Sequence, residues 1–193
     1  VAAFTQLQSQ GVGDLVLDLR YNGGGYLYIA SQVGYMVAGS ARTAGKSFER
    51  LQFSDRRAAD TNDPQNDTPF YNTTSGETNS GTSANASLPS LNLGRVYVLA
   101  SPGTCSASEA IVNGLRGVGV EVILVGGTTC GKPYGFTAKD NCGISYFPIE
   151  FQGVNAQGFG DYADGFSPSA TCAVADDFSR ALGDSSEGML AAA

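Results

Sequence analysis

The sequence predicts an α/β domain, and two observations lead to that prediction. Residues 15–20, "LVLDLR", form a short apolar segment that runs into the glycine turn "YNGGG" and then into a helical pattern over residues 26–38. Apolar segments of strand length recur further along the chain. Short apolar runs are typical of strands buried within a sheet, and the order strand, turn, helix is typical of α/β folds.

The other elements follow from hydrophobic spacing and turn composition. Residues 1–10 have the pattern of the end of an amphipathic helix. Residues 41–92 are rich in Asn, Ser, Thr, Asp and Gly, which indicates a long polar insertion with room for a hairpin. Further strands are predicted at residues 94–101, 121–127 and 143–151, and further helices at residues 107–116 and 176–182.

Composition limits the size of the fold and the class of partner. The chain has 193 residues, of which 42% are hydrophobic and 15% charged, and this suits one globular domain over residues 1–193. The net charge is −7 and no block of Lys or Arg stands out, which argues against nucleic acid and anionic membranes as partners. The chain starts inside a helical pattern at Val1 with no signal peptide, so we expect it to be part of a longer protein.

Four cysteines and no histidine limit the available chemistry. A zinc site would need all four sulfurs, and no metal or cofactor is predicted. An even number of cysteines suits disulfides in an exported protein, with three possible pairings, and four free thiols are the alternative. Cys130 and Cys142 flank a short turn-rich segment and are predicted as one bridge, with Cys105 and Cys172 as the second.

The segment "SPGTCSASEAIVNGL" allows two interpretations of Ser106. Ser106 and Glu109 fit S-x-x-E, the capping box of a helix start. The same position suits a nucleophile, because free N–H groups and the helix dipole stabilise the anion that forms when a serine attacks a carbonyl. This segment alone does not separate the cap from the nucleophile. A triad based on histidine is excluded, because the chain contains none.

A lysine is therefore the candidate base for such a serine. The chain has three lysines, Lys46, Lys132 and Lys139. Lys132 follows an apolar strand in the turn "CGKPYG", where partial burial would lower its pKa and let the neutral amine accept a proton from serine. An exposed turn lysine is the alternative for Lys132, and it is the interpretation for the other two.

The glycine turn near the start of the chain also has two interpretations. Asp18 and Arg20 can form an ion pair at the strand end, and the glycines at 23–25 can form a tight turn. Alternatively, the glycines present backbone N–H groups to a ligand as an oxyanion hole. The phosphate-loop pattern and the S-x-x-K pattern of penicillin-binding proteins are both absent from the sequence.

In combination, "LVLDLRYNGGG", "SPGTCSASEAIVNGL" and "VGGTTCGKPYG" resemble the tail-specific, or C-terminal-processing, serine peptidases. The resemblance runs from Phe4 to the last helix and is weakest in the polar insertion. It implies that Ser106 is the nucleophile, Lys132 the general base, and the N–H groups of Gly24 and Ala107 the oxyanion hole. It also implies protein or peptide substrates, a periplasmic or secreted location, and a fold similar to crotonase and Clp protease, with stacked β-β-α units.

Departures from the family pattern keep other functions open. Many members have a glutamine four residues after the lysine, whereas Phe136 stands there, so the group that orients Lys132 is not identified. No PDZ segment is visible. The leading hypothesis is an endopeptidase that cuts unstructured C-terminal regions through an acyl-enzyme. A non-catalytic binding module on the same fold is the second hypothesis. An acyl-CoA enzyme is the third, although its carboxylate and its basic CoA site are not apparent.

Overall fold

The computed structural model describes residues 1–74 and 85–193. Residues 75–84, which belong to the predicted polar insertion, lie outside the described residues. The helices are α1 (Ala2–Ser9), α2 (Leu27–Ala38), α3 (Ser40–Thr43), α4 (Ala58–Thr61), α5 (Ala107–Gly117) and α6 (Gly188–Ala192). The strands are β1 (Val16–Asp18), β2 (Ser47–Phe53), β3 (Asp67–Pro69), β4 (Arg95–Ala100), β5 (Glu121–Gly126), β6 (Tyr134–Phe136), β7 (Lys139–Asn141), β8 (Ile144–Tyr146) and β9 (Ile149–Val154).

The first sheet is parallel, with the strand order β1-β4-β5. Its central strand, β4, is apolar throughout its buried part, where Val96, Val98 and Ala100 are fully enclosed. Parallel strands direct their carboxyl ends to the same edge of a sheet, where ligands of α/β folds usually bind. The loops that follow β1, β4 and β5 therefore leave the sheet together, and they carry the three sequence motifs singled out above.

The second sheet is antiparallel, with the order β3-β2-β9-β6, and β7 and β8 form a separate hairpin. Strand β2 lies inside the predicted insertion at 41–92, so that insertion is shorter than the sequence predicts. The sequence of β2, "SFERLQF", is mostly polar and does not have the pattern of a core strand. It nevertheless packs against the core through Phe48, which is buried. Strands β2 and β3 form an antiparallel pair, but a segment that contains α4 connects them in place of the tight turn of a hairpin.

Helix α5 lies between the two sheets and contacts α2, β2 and β5. Every residue of the helix except Arg116 is buried. Gly114 allows β2 to cross the helix closely, because a Cβ atom there would lie 2.6 Å from the Phe48 ring. The start of α5 is therefore fixed from several directions by the core, which places Ser106 on a rigid element.

Five predicted elements are confirmed to within one residue at each end. They are the segments predicted at 1–10, 26–38, 94–101, 107–116 and 121–127, which correspond to α1, α2, β4, α5 and β5. The α/β class is confirmed at the level of a mixed α/β fold with parallel and antiparallel sheets. None of the helices in residues 1–74 and 85–193 has the length and apolar content that a membrane crossing requires.

Two predicted elements are wrong. The strand predicted at 143–151 is divided into β8 and β9, because Pro148 cannot donate a ladder hydrogen bond. The helix predicted at 176–182 is a series of turns, in which the Asp177 carboxylate accepts hydrogen bonds from the N–H and hydroxyl of Ser179 at 2.9 and 2.6 Å. Such local bonds compete with helical ones. The last helix is α6, further along the chain.

Arg20 joins the end of β1 to the C-terminal segment. It is 2% exposed and forms ion pairs with Asp18 at 2.7 Å and with Glu187, itself 1% exposed, at 2.9 Å. Burial alone would raise the pKa of Asp18, but the hydrogen bonds from Arg20 prevail and lower it. The Asp18 contribution to stability is therefore present above its ordinary pKa of 3.8 and is lost as the pH falls through the lowered value. The predicted Asp18–Arg20 pair is confirmed.

Replacing Arg20 should destabilise the fold strongly. Arg20→Ala leaves the Glu187 carboxylate buried without its partner, and breaking a buried pair in this way costs roughly 3–5 kcal/mol. Urea denaturation at pH 7 measures the loss in the free energy of unfolding. Arg95→Ala, which removes an exposed pair with Asp14, is the control and should change stability little. Equal effects of the two variants would contradict this account of Arg20.

Candidate active site

Ser106 has an unusual backbone conformation at the start of α5. Its φ of 56° and ψ of −116° lie in a region that residues other than glycine seldom occupy. Such strained residues cluster at functional sites, and a strained turn of this kind exposes the serine of a nucleophile elbow. The predicted capping box is also present, because the Glu109 carboxylate accepts a hydrogen bond of 2.9 Å from the Ser106 N–H. The position therefore fits both interpretations of Ser106.

Gly24 packs directly against the start of α5. A Cβ atom at Gly24 would lie 2.8 Å from the Ser106 Cβ and 3.1 Å from the Ala107 nitrogen, and its φ of 110° also favours glycine. The glycine turn and the serine loop therefore meet, as an oxyanion hole would require. The Gly24 N–H, however, donates a hydrogen bond of 2.9 Å to the Asn22 side chain.

Asn22 connects the glycine turn to the serine loop through several bonds. Its side-chain oxygen accepts from the Ser108 hydroxyl at 3.0 Å, and its backbone oxygen accepts from the Cys105 N–H at 3.1 Å. The Ala107 N–H, by contrast, has no hydrogen-bond acceptor among the residues that the structure describes. One predicted oxyanion donor is thus open in this state, and the other is occupied by Asn22.

Lys132 and Ser106 line the same pocket, which has a volume of about 200 Å³. The Lys132 side chain is exposed, and its amine makes no ion pair or hydrogen bond with another described residue. The partial burial predicted for this lysine is therefore absent, because the turn after β5 leaves its side chain at the surface. No hydrogen bond joins the two side chains in this state. Phe136 is also exposed.

The buried Glu109 carboxylate holds the serine and lysine loops together. Besides the Ser106 N–H, it accepts hydrogen bonds from the Thr129 hydroxyl at 2.6 Å and from the backbone N–H groups of Gly131 and Lys132 at 2.8 Å each. Its side chain is completely shielded from solvent. Four donors from two loops thus converge on one carboxylate. The sequence identified Glu109 only as half of a capping box.

A disulfide between Cys105 and Cys130 also crosses the two loops, and their Cα atoms lie 5.3 Å apart. The predicted pairs Cys130–Cys142 and Cys105–Cys172 are therefore wrong. Because β4 and β5 are neighbouring parallel strands, the loops after them emerge side by side and bring Cys105 to Cys130. Cys142 instead sits in the exposed turn between β7 and β8, and Cys172 lies near the C-terminal segment, both as free thiols.

One cluster among the described residues has the spacing of metal ligands. Cys105, Glu109 and Cys130 place donor atoms within 4.8 Å of one another. Both sulfurs are consumed by the disulfide, and the carboxylate already accepts four hydrogen bonds. In this state the cluster cannot offer free ligands to a metal ion, and its role is to join the two loops.

Glu49 is a pocket residue that the sequence analysis missed. It lies on β2, is 8% exposed, and lines the pocket that contains Ser106 and Lys132. Burial raises the pKa of its carboxyl to about 7. Only the pairing of β2 with β9 brings it here, and its segment reads as part of a polar insertion, so no local signal identifies it.

A second, mostly apolar pocket of about 250 Å³ lies on the other side of the glycine turn. Gly24, Gly25 and Ala107 form one side of it. Its apolar walls come from β1, α2 and α5. They include Leu17, Leu19, Ile29, Val33 and Ile111. An apolar side chain of a ligand would fit beside the two predicted oxyanion residues.

A strained serine at a helix start, next to a glycine turn and a lysine, is typical of serine hydrolases that use a base other than histidine. The model of Peptidase family S41 matches residues 1–139, a range that contains the glycine turn, Ser106 and Lys132. The chain belongs to this family. The resemblance to C-terminal-processing serine peptidases is thereby confirmed, and membership supports a peptidase role.

Solved structures agree with this assignment. An S41 protease from Bacteroides fragilis is 27% identical with a TM-score of 0.71, and the match covers 99% of this chain and 46% of that one. A photosystem II D1 C-terminal processing protease is 25% identical with a TM-score of 0.57, covering 87% and 36%. The chain thus spans less than half the length of these two proteins.

A third solved structure supports the fold alone. It is a lipoprotein from Streptococcus agalactiae, 12% identical with a TM-score of 0.51, and the match covers 86% of this chain and 53% of that one. No curated protein matches the chain.

Peptide mapping without reduction should recover one disulfide-linked peptide that joins Cys105 to Cys130. Cys142 and Cys172 should react with an alkylating agent in the unfolded, unreduced protein. Reduction should lower the free energy of unfolding by about 3.5 kcal/mol, as expected for cysteines separated by 25 residues. Recovery of a Cys130–Cys142 peptide would show that the loops are arranged differently.

Glu109→Gln should destabilise the protein although the side chain keeps its size. The new amide turns one acceptor into a donor that faces N–H and hydroxyl donors, and we expect a loss of roughly 2–4 kcal/mol in the free energy of unfolding. Chemical denaturation with the disulfide intact measures it. Glu121→Gln, at an exposed position on β5, is the matched control and should leave stability unchanged. A Glu109→Gln variant as stable as this control would exclude a central role for the carboxylate.

Proposed function

We propose that this chain is the catalytic domain of a serine endopeptidase that cuts unstructured or C-terminal regions of proteins with a Ser106–Lys132 dyad. The observation that carries the proposal is the strained backbone of Ser106 at the start of α5, in a pocket shared with Lys132. Family membership supports hydrolysis of a peptide bond. The name of the photosystem II processing protease supports a substrate cut near its C-terminus.

The reaction begins when the Ser106 oxygen attacks the carbonyl carbon of the peptide bond and its proton passes to the Lys132 amine. The Ala107 N–H donates a hydrogen bond to the oxyanion, and the Gly24 N–H joins it after leaving the Asn22 side chain. The protonated lysine then gives its proton to the leaving amine, and a serine ester remains. Water, activated by the same amine, hydrolyses the ester and restores Ser106.

Lys132 is exposed in the free protein, and substrate completes its environment. A peptide that fills the pocket removes water from around the amine, and loss of water favours the neutral form that accepts a proton. The same step brings the amine toward Ser106, because both residues line the walls that the peptide would contact. The open geometry of the unliganded state is compatible with such catalysis, since catalytic hydrogen bonds often tighten only in the complex.

Two features favour an extended, unstructured substrate. Strand β6 begins two residues after Lys132 and is at the edge of the second sheet within the described residues. A peptide in extended form can pair with such an edge through its main chain. The apolar pocket beside Gly24 would take an apolar side chain next to the cut bond. A folded segment offers neither its main chain nor a free side chain in this way.

We extend the proposal to domain organisation and location. Residues 1–193 form a single catalytic domain, with the crotonase- and Clp-like stack of β-β-α units that the family resemblance implies, and a PDZ domain would lie elsewhere in a longer protein. The chain spans less than half of the S41 protease from Bacteroides fragilis, which leaves room for such a part. The disulfide beside Ser106 favours an oxidising compartment, the periplasm or the exterior of the cell.

Ser106→Ala and Lys132→Arg should each reduce cleavage of casein by at least about 10²-fold while the fold is retained. Alanine removes the nucleophile, and arginine stays protonated and cannot accept the serine proton. A fluorophosphonate probe should label the wild type but not Ser106→Ala. For the wild type, the rate should rise with pH as the neutral amine becomes populated.

Matched lysine variants serve as controls in this test. Lys46→Arg and Lys139→Arg should keep the wild-type rate, because both lie outside the pocket, and Lys139 pairs with Glu150 at 3.7 Å. Circular dichroism checks the fold of every variant. Wild-type turnover by Lys132→Arg would refute the dyad. A wild type that neither cleaves casein nor reacts with the probe would favour the binding-module hypothesis.

A further inference from the structure

The Glu49 side chain is largely buried, and its carboxyl group has no partner in the described part of the chain. It forms no hydrogen bond or ion pair with another described residue, although it is 8% exposed. A buried carboxylate normally requires such a partner, because loss of water disfavours the charge. This is why burial raises the pKa of Glu49 to about 7. Glu49 is therefore a group that lacks its counterpart in the unliganded state.

The fold makes space for this carboxyl and holds it in place. Gly153 on β9 stands next to it, and a Cβ atom there would lie 2.5 Å from the Glu49 Cδ. Leu51 on β2 pairs with Gly153, so the two strands fix the side chain from the backbone. A group on paired strands is positioned more rigidly than one on a loop.

The groups that face Glu49 include a single cation. In the pocket the titratable neighbours are Lys132, Tyr134 and Tyr162, and Lys132 is the only residue with a positive charge among those that line it. Burial, followed by the charges of Glu49 and Glu109, raises the pKa of Tyr162, which keeps that phenol neutral. The amine of Lys132 makes no ion pair or hydrogen bond with a described residue. The pocket thus contains an unpaired acid and an unpaired base.

We propose that Glu49 is a positioning residue that binds and orients the Lys132 amine during turnover. Its carboxylate accepts a hydrogen bond from Lys132 and stabilises the ammonium that forms when Ser106 gives up its proton. The proton stays on Lys132 and then passes to the leaving amine, so Glu49 gains and loses none. This role rests on the proposed function, and it supplies the orienting group that Phe136 cannot provide.

Glu49→Gln should change the pH dependence in a defined direction. An ionised carboxylate favours the ammonium form, so it delays the appearance of the neutral amine to higher pH. The variant should therefore move the rising limb of the rate to lower pH, by about one unit or more for a nearby charge. Its plateau rate should fall about tenfold or more, because the amide no longer stabilises the forming ammonium. A merely structural role would not move the rising limb.

The amine can also be observed without turnover, in Ser106→Ala saturated with a casein-derived peptide, because Glu49 and Lys132 meet only when the pocket is filled. The substitutions below are made in this background, and "wild type" means Glu49 retained. The chain has three lysines, so lysine labelled with ¹³C at the ε position should give three signals, and Lys132→Arg assigns one of them. In Glu49→Gln the Lys132 signal should titrate at lower pH than in the wild type. Glu121→Gln is the matched control, and its Lys132 signal should titrate like the wild type. If Glu49→Gln does not fold, the wild-type Lys132 signal should still show a second inflection near the pH at which Glu49 ionises.

The two measurements separate the possible failures. Identical titrations and identical pH–rate profiles in the wild type and Glu49→Gln would overturn the role of Glu49. In the absence of a folded variant, a Lys132 signal with one inflection would do the same. Coupled titration, combined with no cleavage of casein by the chain that retains Ser106, would overturn the proposed function and support the pairing. Cleavage by the dyad without coupling would overturn the pairing alone.

Discussion

The rest of the site depends on the hydrogen bonds that the Glu109 carboxylate accepts. One buried side chain accepts hydrogen bonds from the Ser106 N–H, the Thr129 hydroxyl and the N–H groups of Gly131 and Lys132. A buried carboxylate is tolerated only when its charge is compensated, so these four donors must keep their positions. The loops after β4 and β5 are therefore fixed relative to each other, and the Cys105–Cys130 bridge fixes them a second time.

The parallel sheet explains why a third motif joins these two loops. Strand β1 lies on the other side of β4, so the glycine turn after it leaves the sheet at the same edge. Gly24 contacts the start of α5 because it lacks a side chain, and Asn22 ties the turn to Ser108. The strained conformation of Ser106 is held by these contacts from both sides. Strain at a single residue persists only where its surroundings determine the conformation in this way.

Lys132 and Glu49, the base and the acid of the pocket, differ in how firmly the fold fixes their side chains. Lys132 is fixed through its backbone N–H, whereas its amine extends into solvent. Glu49 is fixed on β2, where it pairs with Thr68 of β3, and it is largely buried. In the proposed mechanism the substrate brings these groups together, so a rigid acid and a movable base meet only when the pocket is filled.

The sequence alone determined the local features of this protein. The periodicity of α2 and α5, the apolar strands β4 and β5, the capping pair Ser106 and Glu109 and the glycine turn all depend on residues close together in the chain. The family resemblance assigned roles to Ser106, Lys132, Gly24 and Ala107. The tertiary structure decided the disulfide partner of Cys105, the place of Glu49 in the pocket, the exposure of Lys132 and the bond between Gly24 and Asn22. These features depend on which strands become neighbours in the sheets and on the direction in which side chains point. Contacts between residues far apart in the chain leave no pattern in a local stretch of sequence.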